Sequence, residues 1–210
     1  PLETPFGTFY PPNLTTDPEH GMGEWTAEQF AKAVRQGIGP DGTPYYPSFP
    51  YTFYADFSDQ DIADLWAAFQ TVPPVDEPAP ENDVSFPFDQ RWGLKLWRAA
   101  FFYDPDTEPV EGRSDAWNRG RELVRGAAHC GACHTPRNLA GGRDIGASFA
   151  GNAQLPGGSK APAIRPKDLA KNDWTVSNLA YALQTGITPS GDAFGGSMAE
   201  VVREGTRFLT

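Results

Sequence analysis

Residues 127 to 137 read AAHCGACHTPR, and the chain's only two cysteines, Cys130 and Cys133, fall inside this window with His134 directly after the second. Spending every thiol on one Cys-x-x-Cys-His pattern ties the fold to whatever that pattern binds. Three chemistries compete for it. A dithiol redox centre of the thioredoxin kind follows a strand in a βαβ unit, and no such pattern surrounds residue 130. A zinc site needs four ligands, and His20, His129 and His134 with two cysteines offer no second ligand pair at zinc spacing. Covalent haem attachment uses all three residues: the thiols add to the two vinyl groups as thioethers, and the adjacent imidazole becomes an axial iron ligand. The pattern therefore points to haem, and the thiols carry no message about disulfides. His129, beside Cys130, reads as a surface residue rather than a ligand. The preceding segment SDAWNRGRELVRGAAHC has apolar residues at Trp117, Leu123 and Val124 and no proline, which predicts a helix carrying the motif at its end.

The rest of the composition predicts short helices joined by ordered loops. The 210 residues include 22 glycines and 21 prolines, and only 39% are apolar. A formal charge of −10 argues against nucleic acid, which needs a clustered cationic surface; acidic surfaces suit docking to basic patches on other proteins. No apolar run approaches the roughly 20 residues that span a bilayer. The opening PLETPFGTFYPPNLT reads as the middle of a domain.

An electron-transfer haem takes methionine opposite histidine, and the chain has two. Met198 lies 64 residues (198 − 134) after His134 in AFGGSMAEVV, where glycines let backbone lie close to a flat ring. Met22, in EHGMGEW, reads as a loop residue.

An internal repeat organises the remainder. EWTAEQFAKAVRQGIGPDG, residues 24 to 42, aligns without gaps on DWTVSNLAYALQTGITPSG, residues 173 to 191, at an offset of 149 (174 − 25). Each copy predicts a capped helix, with Thr26 and Gln29 forming a capping box and Thr175 capping the second. Each helix ends at glycine before a Pro/Gly turn. The offset places Phe49 on Met198 (49 + 149) and puts the first copy's attachment cysteine near −19 (130 − 149). The first copy is thus expected to have its motif upstream or to have lost haem. Ser58 and Asp61 predict a further helix with Ile62, Leu65 and Phe69 on one face, whose counterpart is expected past FLT at 208–210. YPPNL at 10–14 matches KAPAI at 160–164, and the Pro162 carbonyl is the expected acceptor for the ring N–H of His134, since ligating histidines need such a partner. An ordinary proline loop is the alternative. VPPVDEPAPENDVSFPFDQRW, residues 72 to 92, predicts an extended connector across the surface. WGLKLWRAAFFYD, residues 92 to 104, predicts a helix buried at a junction or a docking face for a partner.

The stretches PLETPFGTFYPPNLTTDPEHGMGEWT, PDGTPYYPSFPYT, WNRGRELVRGAAHCGACHTPRN and GDAFGGSMAEVVREGT resemble, in order, the multi-haem c-type cytochrome subunits of periplasm-facing bacterial dehydrogenases. The resemblance implies an all-α fold of tandem class I cytochrome c domains with short helices and long ordered loops. It divides the chain into a first cytochrome c-like domain (1–72), a connector and junction helix (73–112), and a second domain with covalent haem c (113–210) whose C-terminal helix is missing. It implies thioethers at Cys130 and Cys133, His134 as proximal and Met198 as distal ligand. Arg137 then faces a haem propionate or stands as a solvated charge, two readings of equal weight. Phe49, where relatives often carry methionine, departs from the pattern.

The resemblance further implies a periplasmic electron carrier, one that a partner or a missing segment could tie to the membrane, since this stretch of chain has no span. Its implied partners are a dehydrogenase catalytic subunit and another cytochrome or a quinone-linked complex. Two other readings stand beside it: a haem enzyme of peroxidase or sulfur-compound oxidase type with an open iron position, and a haem-free first domain acting as a docking module.

Overall fold

The computed structural model describes residues 1–102, 108–155 and 158–209, so Tyr103 and Asp104 of the expected junction helix lie outside the described residues. Helices dominate the regular structure. In the first unit, α1 (Ala27–Gln36) starts at a capping box in which Thr26 Oγ1 accepts from Gln29 N and Gln29 Oε1 accepts from Thr26 N. It ends at Gly37, in the left-handed region at φ 61°, whose N–H closes on the Ala33 carbonyl. The one-turn helix α2 (Tyr51–Tyr54) follows, then α3 (Asp59–Phe69) from a second capping box of Ser58 and Asp61.

The apolar faces of α1 and α3 meet in a core of Met22, Phe30 and Ile62, packed by Trp25, Val34, Leu65, Trp66 and Phe69. Phe30 lies 5.1 Å from Trp66 and 5.7 Å from Phe69, centroid to centroid; burying each such side chain is worth about 1.5–3 kcal/mol. Met22, expected in a loop, has loop backbone but a buried side chain. The Asp17 carboxylate, which accepts from the Glu19 and His20 N–H groups, turns the chain so that Met22 points inward.

A small antiparallel sheet departs from the all-α expectation: β1 (Leu2–Thr4), β2 (Gly7–Phe9) and β3 (Asp83–Val84), in that order. Gly7 makes it possible, since at φ 136° its Cα lies where a Cβ would stand 2.2 Å from the Asp83 carbonyl oxygen. The connector is bound along the first unit before it reaches β3. Asn13 Nδ2 donates to the Val75 and Glu77 carbonyls, and Thr16 Oγ1 to that of Val72.

The second unit holds α5 (Asp115–Arg125), the one-turn α6 (Gly131–His134), the short α7 (Pro166–Ala170), α8 (Val176–Thr185) and α9 (Gly196–Glu204). The aligned stretches share their helix caps and the backbone bonds of the turn that follows. Thr175 and Asn178 form the capping box of α8, and Gly186 ends it at φ 82°. In the first copy Gly39 N donates to Thr43 O, Gly42 N to Gly39 O, and Tyr45 N to Gly37 O. In the second, Thr188 N donates to Asp192 O, Gly191 N to Thr188 O, and Phe194 N to Gly186 O.

Helix α4 (Trp92–Phe101) joins the units. It is not wholly buried as expected: Leu94 is buried, while Trp92 and Leu96 are 66% and 65% exposed. The face that packs does so on both units. Arg98 Nη1 donates to the Gln36 carbonyl and its guanidinium lies 5.1 Å from the ring centre of the fully buried Tyr51. Trp97 Nε1 donates to the Ala140 carbonyl at 2.8 Å. Arg143 lies 3.9 Å over the Phe53 ring, a cation–π contact. A cavity of about 20 Å³ remains between Phe49, Phe53, Trp97, Phe101 and Arg137, roughly the room one water needs.

Gly142 is the tightest point of this junction, because a Cβ there would stand 2.5 Å from the Phe101 ring. Gly142→Ala is expected to lower stability by about 1–3 kcal/mol through overpacking. Gly93→Ala, in α4 with open space around it, is expected to raise it by about 0.5–1 kcal/mol. Urea unfolding of both variants checks the pair, and equal effects would contradict the packing.

Candidate haem site

The attachment motif does not end α5. That helix stops at Arg125, and the chain reverses before α6: Ala128 N donates to Leu123 O, Cys130 N to Val124 O, and His129 takes φ 35°. The reversal puts Cys133 and His134 on their own turn of helix, with Cys130 as the residue that precedes it. His129, expected at the surface, is half-buried, its ring centre 6.0 Å from that of Phe53 and 6.3 Å from that of Tyr54. It belongs to the junction because its left-handed backbone turns the side chain toward the first unit. The two sulfurs are unpaired with each other; Cys133 is exposed and Cys130 partly buried, and burial pushes the Cys130 thiol up from its usual pKa.

The His134 imidazole is oriented. Its Nδ1 lies 2.7 Å from the Pro162 carbonyl oxygen. A carbonyl can only accept, so Nδ1 carries a proton and Nε2 is the ring nitrogen that could face a metal. His20, by contrast, lies 3.6 Å from Asp76 on the connector side of the first unit. Arg137 Nη1 donates to the Gly141 carbonyl at 2.8 Å and Nη2 to that of Ala132 at 3.4 Å, bracing the loop after the motif. Met198 sits half-buried in the first turn of α9, after Gly195 and Gly196. Trp174 and Phe194 stack at 6.4 Å and 8°.

The second unit fits a flat apolar cofactor. Among its described residues the fully buried apolar side chains are Ala182 and Val202, while Trp117, Val124, Ile145, Val176, Ile187, Val201 and Phe208 are exposed. Helix α5 buries no residue at all. A chain segment of this size cannot stand on so little apolar burial, and a porphyrin bonded to Cys130 and Cys133 would supply a core.

The chain matches no family profile, but individual proteins match it over almost its whole length. It is 44% identical to the "Diheme cytochrome c-type" protein of Cereibacter sphaeroides over 207 residues, covering 96% of this chain and 67% of that protein. The chain belongs to the c-type cytochrome family. Haem c, covalently bound, is that family's cofactor. This cytochrome is also 39% identical to a subunit of the nicotinate dehydrogenase of Pseudomonas putida, over 97% of the chain and 17% of the relative. It is 38% identical to the cytochrome c subunit of the quinone alcohol dehydrogenase of Gluconobacter oxydans, over 98% of the chain and 45% of the relative. It thus spans two thirds of the first relative and less than half of the other two.

Residue-type patterns missed three contributors to the site. Thr135, 2% exposed, accepts from Phe149 N at 3.1 Å; Gly151 N donates to the His134 carbonyl at 2.9 Å; and Arg143 ties the motif loop to Thr52 and Phe53. Only the CHT sequence hinted at the first. In the matured protein neither Cys130 nor Cys133 is expected to react with iodoacetamide, although Cys133 is exposed. Peptide mass spectrometry reads both positions, and alkylation of either cysteine would contradict a thioether there.

Proposed function

We propose that this cytochrome is a periplasmic electron-transfer module, a subunit of a dehydrogenase assembly, whose haem c is bonded to Cys130 and Cys133 and ligated by His134 and Met198. The observation that carries the reading is the imidazole of His134, held by Pro162 with Nε2 free for iron. Haem so bound supplies a one-electron couple. The chain's own part is to hold it: Pro162 fixes the tautomer and ring plane of His134, and the Gly195–Gly196 approach lets α9 bring Met198 in. Two side-chain ligands leave no iron position for a substrate, which separates an electron carrier from a haem enzyme. Arg137 is read as a brace of the motif loop, since two backbone carbonyls already hold its guanidinium.

Residues 1–72 and 113–210 are read as tandem cytochrome c-type units joined by 73–112, a reading supported by their matched helix caps and turns. In the first unit Phe49 occupies the Met198 position among Tyr45, Tyr51 and Tyr54, at 6.1, 6.3 and 5.8 Å between ring centres. That unit serves the second as a packed platform. The one attachment motif accounts for one haem. The relatives named as dehydrogenase subunits support a catalytic subunit as electron donor, with a cytochrome or quinone-linked complex as acceptor. No helix among the described residues is long and apolar enough to cross a membrane; covalent haem attachment favours the periplasm.

Carbon monoxide tests the ligand set. The reduced protein is expected to keep its absorption spectrum under carbon monoxide, and Met198→Ala to bind the gas and show a lower reduction potential. A spectral shift in the unaltered protein would favour the haem-enzyme reading instead, and an unaffected Met198→Ala would remove Met198 from the site.

A further inference from the structure

The bond between His134 and Pro162 is the last link of a closed ring of hydrogen bonds that begins at the motif itself. Directly after His134, the buried Thr135 hydroxyl accepts from Phe149 N at 3.1 Å. Phe149 adopts φ 60°, a left-handed conformation that costs a bulky residue about 1 kcal/mol or more. Its carbonyl accepts from Ile164 N at 3.0 Å, while Ser148 O accepts from Arg165 Nε at 2.9 Å. Asn152 and Ala161 exchange both backbone bonds, at 2.9 and 2.8 Å. Residues 148–152 and 161–165 therefore form a two-stranded strap, and Pro162 lies on its far edge facing His134.

Gly151 closes the ring. Its N–H donates to the His134 carbonyl at 2.9 Å. Its φ is 88°, and a Cβ there would stand 2.8 Å from Ala163 N, 2.9 Å from Ala161 O and 3.0 Å from Pro162 C. Every one of those atoms is backbone, which cannot swing aside as a side chain can. A methyl group at 151 would drive the 161–163 strand away from the motif and take the Pro162 carbonyl with it. The glycine is thus required by the distance between two backbones, and that distance sets the hydrogen bond on the ring.

We propose that Gly151 and Thr135 are positioning residues that set the strength of the bond from His134 Nδ1–H to Pro162, and through it the reduction potential of the haem. The inference rests on the reading of His134 as haem ligand. A strong bond to Nδ1–H makes the imidazole more electron-donating toward iron, which favours the ferric state. Loosening the strap weakens that donation and raises the potential. Thr135 acts by holding Phe149 in its left-handed turn; Gly151 acts by admitting the strand.

The test uses the matured protein with haem attached and compares Gly151→Ala, Thr135→Val and Thr135→Ser. Redox titration gives the potential, and NMR of the ferrous form gives the solvent-exchange rate of the His134 Nδ1 proton. Gly151→Ala and Thr135→Val are expected to raise the potential and speed exchange by about tenfold, the weight of one ordinary hydrogen bond; Thr135→Ser, which keeps the hydroxyl, should match the unaltered protein. If Gly151→Ala fails to mature, the valine and serine pair decides alone. Variants that lose stability while keeping potential and exchange rate would make the strap merely structural and overturn the proposal. Absence of covalent haem from the unaltered protein would instead remove the ligand reading beneath it.

Discussion

Apolar burial is distributed very unevenly along this chain, and the rest of the structure follows from that. The first unit closes on Met22, Phe30 and Ile62, whereas among its described residues the second buries only Ala182 and Val202 of its apolar side chains and leaves larger ones at its surface. Packing density in a folded interior is close to that of a crystal, so a unit with so little of its own to pack must be completed by something else. Two thiols and a directed imidazole stand together at α6 and the residue before it, where covalent haem could complete the packing. A covalently bound cofactor would in this sense be a structural element as well as a redox centre.

One local device recurs. A seven-residue loop closed by an isolated bridge, with a glycine at φ near 80° two residues before its end, occurs at 38–44 and 187–193, where the repeat alignment places it. It occurs a third time at 137–143, directly after the attachment motif: Asn138 N donates to Gly142 O, Gly141 N to Asn138 O, and Gly141 has φ 76°. There the loop serves another purpose. Gly142 meets Phe101, the Ala140 carbonyl accepts from Trp97, and Arg143 covers Phe53, so the motif of one unit is clamped against the other.

Features that depend on neighbours in sequence were legible beforehand. The capping boxes at Thr26 and Ser58, the glycine helix ends and the motif itself are local chemistry, and each stands where its residues put it. Features that depend on backbones meeting across long separations were not. The sheet needs Gly7 against Asp83, the strap needs Gly151 against Pro162, and a lone glycine in a sequence rich in glycine carries no mark of its partner. The reversal before α6 was hidden for a related reason: His129 takes a left-handed conformation, and its ring packs on Phe53 and Tyr54, more than seventy residues away. The third copy of the loop left no trace in the repeat pattern because a turn needs one glycine and little else.

The most direct test of the account is mass spectrometry of the tryptic peptide spanning residues 126 to 137 from protein matured in a host that attaches haem, with the haem-to-protein ratio read from the pyridine haemochrome. This peptide is expected to carry one haem through both Cys130 and Cys133. A peptide recovered with free or disulfide-bonded cysteines, in protein that is otherwise folded, would contradict it.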